Sequence, residues 1–178
     1  LNKKTGEVKQ VGEKNDDPDR ILKTNRKGEV KYNKNGEAKV GIDNISKGIL
    51  EDGLNLQEND VTFSVNGDGQ PTLEEFTKFI IELSDYVGKE ISGVQLGREK
   101  NTGNVDKVLT YRYEDNLKDK SITPKSWYTR YGDYLKAHFH THPYGDPTPS
   151  REDLDSKIEN PKIKYIILTR GYEKGKEY

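Results

Sequence analysis

All three histidines of the 178-residue chain lie at alternate positions of one short stretch, His138, His140 and His142. A strand turns every second side chain to the same face, so a strand over 135–142 would line the three imidazoles along one side. Pro143 would end it, having no N–H for the ladder. Ser150 and Asp153 follow in Pro149-Ser150-Arg151-Glu152-Asp153-Leu154, which reads as a helix start. A strand end and a helix start would thus aim imidazole nitrogens and a carboxylate at one point. Two neutral nitrogens, one carboxylate oxygen and a water make an open zinc site of the catalytic kind. Zinc lowers the pKa of its water from about 15.7 towards about 7, making hydroxide available near neutrality. The same donors also suit ferrous iron.

Spacing alone does not choose the acid. Ser-x-x-Asp is itself a helix-capping pattern, and an Asp153 engaged in a cap is poorly placed to ligate as well. Asp146, Glu152 and Asp155 compete for the role. The bland reading of His140 and His142 is an exposed polar strand. The absence of histidine anywhere else in the chain speaks against it.

His140-x-His142-Pro143 with Ser150 and Asp153 resembles the JAMM (MPN-type) zinc metalloproteases. The resemblance implies that His140, His142 and Asp153 hold Zn2+ and that Ser150 helps to stabilise the oxyanion. It also implies a general base, a glutamate on an upstream strand. The matching position is Glu90 in Gly88-Lys89-Glu90-Ile91-Ser92-Gly93-Val94-Gln95-Leu96-Gly97, where the glutamate stands three residues before a glycine. On the residues alone, Glu82 and Glu99 are alternatives. The family pattern does not require His138, which is left to a supporting position or the substrate rim. The resemblance spans roughly residues 70–170.

Stepping outward, the elements that must position these groups are legible to different degrees. Pro71, Thr72 with Glu75, and Gly88 bracket a helix over 71–86. Leu73, Phe76, Phe79, Ile80, Leu83 and Tyr86 or Val87 form its apolar stripe. Strands are expected at 61–65, 90–96, 105–113, 135–142 and 162–169, with a polar insertion at 114–125 and a polar edge or tail at 170–178. Trp127, Tyr128, Tyr131 and Tyr134 read as half-buried packing. Asn66-Gly67-Asp68-Gly69 lacks the full ligand series of a calcium loop and reads as a turn. The expected fold is α/β (α+β), a mixed twisted sheet with flanking helices, MPN/JAB-like. Residues 1–45 form a hairpin or linker extension and 46–178 the JAB-like domain.

Within that extension, Lys4-Thr5-Gly6-Glu7-Val8-Lys9, Lys27-Gly28-Glu29-Val30-Lys31 and Asn35-Gly36-Glu37-Ala38-Lys39 form a loose repeat with hairpin turn signals. The competing reading is a solvated basic linker. Tyr32-Asn33-Lys34-Asn35-Gly36-Glu37 resembles repeats of bacterial RHS and wall-associated proteins. With the metal motif, it makes the chain similar to JAB-like toxin domains of bacterial polymorphic toxins, RHS-type effectors in particular. That resemblance implies a protein or peptide substrate, delivery or secretion into a target cell, and an immunity protein. A non-catalytic MPN-like scaffold and a housekeeping deubiquitinase-like peptidase are the rival readings; Glu90 speaks against the first.

Composition bounds the rest. Hydrophobic residues make up 30% and charged ones 34%, so the core must be modest. A net charge of −1 with mixed signs gives no nucleic-acid footprint. The chain has no cysteine, which excludes disulfides and thiolate zinc sites. No run of 18 apolar residues exists to span a membrane, and the lysine-rich start is not a signal peptide. The lack of any methionine implies that residue 1 is not a natural start and that the chain is a piece of a longer protein.

Overall fold

The computed structural model of the chain describes residues 1–113 and 123–178. Most of the polar insertion expected at 114–125 lies outside them. Eight strands are present among the described residues. β1 (Asp19–Leu22) and β2 (Val40–Ile45) form an antiparallel pair. β3 (Val61–Ser64), β4 (Ser92–Leu96), β5 (Lys107–Thr110), β6 (Leu135–Thr141), β7 (Tyr165–Thr169) and β8 (Tyr172–Glu177) form one mixed sheet in the order β3-β5-β4-β6-β7-β8. Its neighbours are antiparallel except β6 and β7, which run parallel. Three helices flank it: α1 (Leu73–Val87), α2 (Lys125–Tyr131) and α3 (Arg151–Glu159). This is the expected mixed α+β architecture.

Helix α1 forms for the reasons its sequence advertises. Thr72 Oγ1 accepts the Glu75 N–H while the Glu75 carboxylate accepts the Thr72 N–H, a complete capping box. Gly88 ends the helix at φ 68°, the left-handed geometry that costs glycine least. Phe76, Phe79, Ile80 and Leu83 are buried, and they join Val65, Ile91, Phe139, Ile166 and Leu168 in the main core. Val8, Ile21, Ile42 and Ile45 belong to the same cluster. The opposite sheet face packs Val94, Leu96 and Leu109 on Trp127 of α2, whose indole N–H donates to Asp60 at 2.9 Å. Trp127 is fully buried, deeper than its half-buried expectation.

The period-2 pattern of β6 divides its side chains between these faces. Ala137 and Phe139 point into the α1 core, and His138 and His140 share the other face, opposite Val94 and Ser92 of β4. Central position decides how tightly this packs. A Cβ on Gly93 would come within 2.5 Å of the Phe139 ring and 2.3 Å of the Leu109 carbonyl, so only glycine lets β4 lie this close.

Several boundaries differ from the sequence reading. The strand expected at 90–96 begins at Ser92, so Glu90 precedes it rather than lying on it. The one expected at 105–113 shrinks to four residues. Of the two readings of the polar segment 170–178, edge or tail, the edge is the one found: the chain turns back through Gly171 as edge strand β8. Asn66 to Gly69 is a turn, in which Asn66 donates to the Val105 carbonyl and accepts from Leu73 N–H. In the N-terminal repeat, Gly28 and Gly36 adopt φ 84° and 81°. Asn25 and Asn33 bind those turns identically, each accepting from the N–H groups two and four residues on.

Candidate metal centre

Three elements converge at the C-terminal end of β6. His140, 2% exposed, is held between β4 and β7. His142 stands one residue beyond the strand, where Pro143 turns the chain and Tyr144 takes φ 69°. That turn is anchored by the Tyr144 N–H donating to Asp85 at 2.7 Å. It brings the Asp146 carbonyl to 2.9 Å from His142 Nδ1. A carbonyl only accepts, so Nδ1 carries the proton and Nε2 of the neutral ring presents its lone pair.

The lone pair faces the other donors. His142 Nε2 lies 2.9 Å from His140 Nε2. Asp153 Oδ2 lies 3.4 Å from His140 Nε2 and 3.9 Å from His142 Nε2. Each residue offers one ligand atom, and the three atoms fall within 4.8 Å of one another. A cation among these three atoms would meet a nitrogen of each imidazole and a carboxylate oxygen, a donor set that suits a metal ion. Asp146 and Asp155, by contrast, point to solvent on an exposed turn and helix face, as does Glu152.

Asp153 both caps and faces the histidines, contrary to the expectation that one role would preclude the other. Ser150 is the N-cap of α3: its Oγ accepts the Asp153 N–H at 3.2 Å, and its own N–H donates to Asp153 Oδ2 at 2.7 Å. The same Oδ2 turns towards the imidazoles. Burial acts to raise the Asp153 pKa, but the bonds and charge of His140 and the two bonds from Ser150 win, holding the carboxyl well below the usual range. Burial lowers the His142 pKa, as does His140 beside it.

Glu90 reaches the centre from the other side, its Oε1 3.7 Å from His142 Nε2. A buried relay holds its backbone. Thr141, between the two histidines, accepts the Ile91 N–H at 2.8 Å and donates to Ser84 Oγ at 2.7 Å. Ser84 in turn donates to the Lys89 carbonyl at 2.7 Å. Both chain neighbours of Glu90 are thus tied to the histidine strand. Nothing in the order of residues signals this relay, because its members lie up to 57 positions apart.

His138 shares the face of His140 but lies outside the donor cluster. Its Nε2 pairs with Thr123 at 2.7 Å, and the ring packs edge-on against Tyr165 at 5.1 Å. Burial, and His140 beside it, push its pKa down to about 3. Tyr178 is a further neighbour that sequence reading passed over, its ring 6.0 Å from that of His140. A polar terminal stretch carries no pattern that could have flagged it.

The family model for prokaryotic homologs of the JAB domain matches residues 76–177. That span runs from α1 through β8 and includes every residue of the centre. No curated protein and no solved structure was found to match the chain. Among the described residues, no helix is long and apolar enough to cross a membrane.

Proposed function

Because the chain belongs to the family of prokaryotic homologs of the JAB domain, we propose that it is a zinc-dependent peptidase or isopeptidase. One observation carries the reading: His140, His142 and Asp153 converge from two elements while Glu90 faces them from a third. Ligand atoms at about 2.0–2.1 Å around a tetrahedral zinc stand roughly 3.4 Å apart. The separations here, 2.9, 3.4 and 3.9 Å, straddle that value. Zinc bound by these three residues would supply a Lewis acid and a water acidic enough to attack near neutrality.

The protein groups divide the remaining work. Glu90 takes a proton from the attacking water and passes it to the leaving amine. Ser150 donates a hydrogen bond to the oxygen on which negative charge develops. Asp146 keeps His142 in the tautomer whose Nε2 is free to ligate, and the Thr141–Ser84 relay keeps Glu90 in reach.

The substrate class is a protein or peptide amide, and the setting is a toxin module delivered or secreted into a target cell and restrained by an immunity protein. That setting is motivated by the likeness of the sequence Tyr32-Asn33-Lys34-Asn35-Gly36-Glu37 to RHS-type repeats. The decisive experiment compares cleaved proteins in cells making wild type or Glu90→Gln, with metal content measured on protein purified without added metal. Zinc at one equivalent and cleavage lost in Glu90→Gln support the reading. Stoichiometric iron, or cleavage unchanged by the substitution, would overturn it. Equal harmlessness of wild type and His142→Ala in the target compartment would remove the toxin role.

A further inference from the structure

Tyr178 carries a buried polar group that no described residue satisfies. Its phenolic oxygen is shielded from solvent and without a hydrogen-bond partner among them, whereas a buried tyrosine hydroxyl usually finds one. The residue is pinned on two sides. Its N–H donates to the Tyr165 carbonyl at 3.3 Å. Its carbonyl accepts from Lys157, one helical turn beyond Asp153 on α3. The ring stands edge-on to His140, with an interplanar angle of 78°.

The neighbouring tyrosines show what this hydroxyl lacks. Tyr165 donates to the Ser156 carbonyl at 3.1 Å, and Tyr128 bonds Tyr165. Tyr178 instead stands with its ring 6.0 Å from each of His140 and Tyr165, its hydroxyl unpaired among the described residues.

We propose that the Tyr178 hydroxyl is a substrate-binding donor of the centre, placed to hydrogen-bond the oxygen of a carbonyl or carboxylate that enters beside His140. It adds to Ser150 a second donor, contributed by the end of the sheet rather than by α3. The proposal rests on the metal-centre reading above.

The test uses the Co2+-loaded protein, whose electronic spectrum reports what surrounds the ion. It is titrated with acetate, the smallest carboxylate product of amide hydrolysis, as wild type, Tyr178→Phe and Tyr128→Phe. Tyr178→Phe should bind Co2+ as wild type does but acetate about tenfold more weakly, the worth of one good hydrogen bond. Tyr128→Phe, which removes a hydroxyl that already has a protein partner, should match wild type. Equal acetate affinity in wild type and Tyr178→Phe overturns the proposal and leaves the centre standing. A matching loss in Tyr128→Phe assigns the effect to packing and also overturns it. Absence of a Co2+ spectrum in wild type overturns the centre itself, and this donor with it.

Discussion

Ser150 and Asp153 close a capping box in which the carboxylate oxygen that takes the Ser150 N–H at 2.7 Å also stands 3.4 Å from His140. Helix start and candidate ligand are one device. The cap orients the carboxylate before any ion arrives, so less ordering remains to be done on binding. Asp153→Asn separates the two roles, since an amide oxygen can still accept the cap bond but carries no charge. Zn2+ affinity in a chelator competition should fall by more than the roughly 10–100-fold that loss of an outer hydrogen-bond partner costs. Unfolding free energy of the metal-free protein should also fall near neutrality, because the charged carboxylate that His140 and Ser150 hold well below its usual pKa is lost even where the cap bond survives. Unaltered zinc affinity would remove Asp153 from the ligand set.

Thr141 offers a second separation. Replacing it with Val keeps the shape but strands the buried Ile91 N–H and breaks the bond to Ser84. Urea unfolding should show a loss of about 1–3 kcal/mol. Zinc affinity should hold, because His140 and His142 keep their strand and turn. Turnover of the identified substrate should drop about 10–100-fold as Glu90 loses its anchor. Parallel losses of metal and turnover would point to collapse of the strand instead.

Helix α3 carries Ser150 and Asp153 yet has no buried residue, and Leu154 and Ile158 are exposed. Its hold on the sheet comes from Tyr165, Lys157 and the centre itself. A helix with so little buried surface should open locally at low cost. Zinc should therefore slow amide exchange over Arg151–Glu159 more than over α1. At a free concentration near 100 times its dissociation constant it should add about 2.7 kcal/mol to stability. Exchange in α3 that ignores zinc would place the ion elsewhere.

Acid should destabilise the metal-free protein through His138. Its folded pKa of about 3 lies below the ordinary 6.5, so between these values the unfolded chain binds a proton that the folded one refuses. The His138 contribution is intact above about pH 6.5 and is lost as pH falls towards 3, with a slope of at most about 1.4 kcal/mol per pH unit. Urea unfolding at pH 7, 6, 5 and 4 should show that slope in wild type and a shallower one in His138→Gln. Identical slopes would mean that His138 is not the group being titrated.

Local interactions made much of this protein readable from its residues. Thr72, Glu75 and Gly88 mark α1 because a cap is settled within one helical turn. The alternation from Leu135 to Thr141 marks β6 because side-chain direction in a strand depends only on parity. The histidines could therefore be assigned to one face before any contact was known. Other features depend on distance in space. Glu90 comes to 3.7 Å from His142 because β4 pairs with β6, and Asp153 comes to 3.9 Å because a Tyr144 turn at positive φ carries the chain past His142 and back. The Thr141–Ser84 relay and the approach of Tyr178 to His140 join residues tens of positions apart, where no periodicity or cap leaves a mark. Short-range chemistry thus set the pieces, and the pairing of β6 with β4 and β7 decided which of their many charged residues would meet.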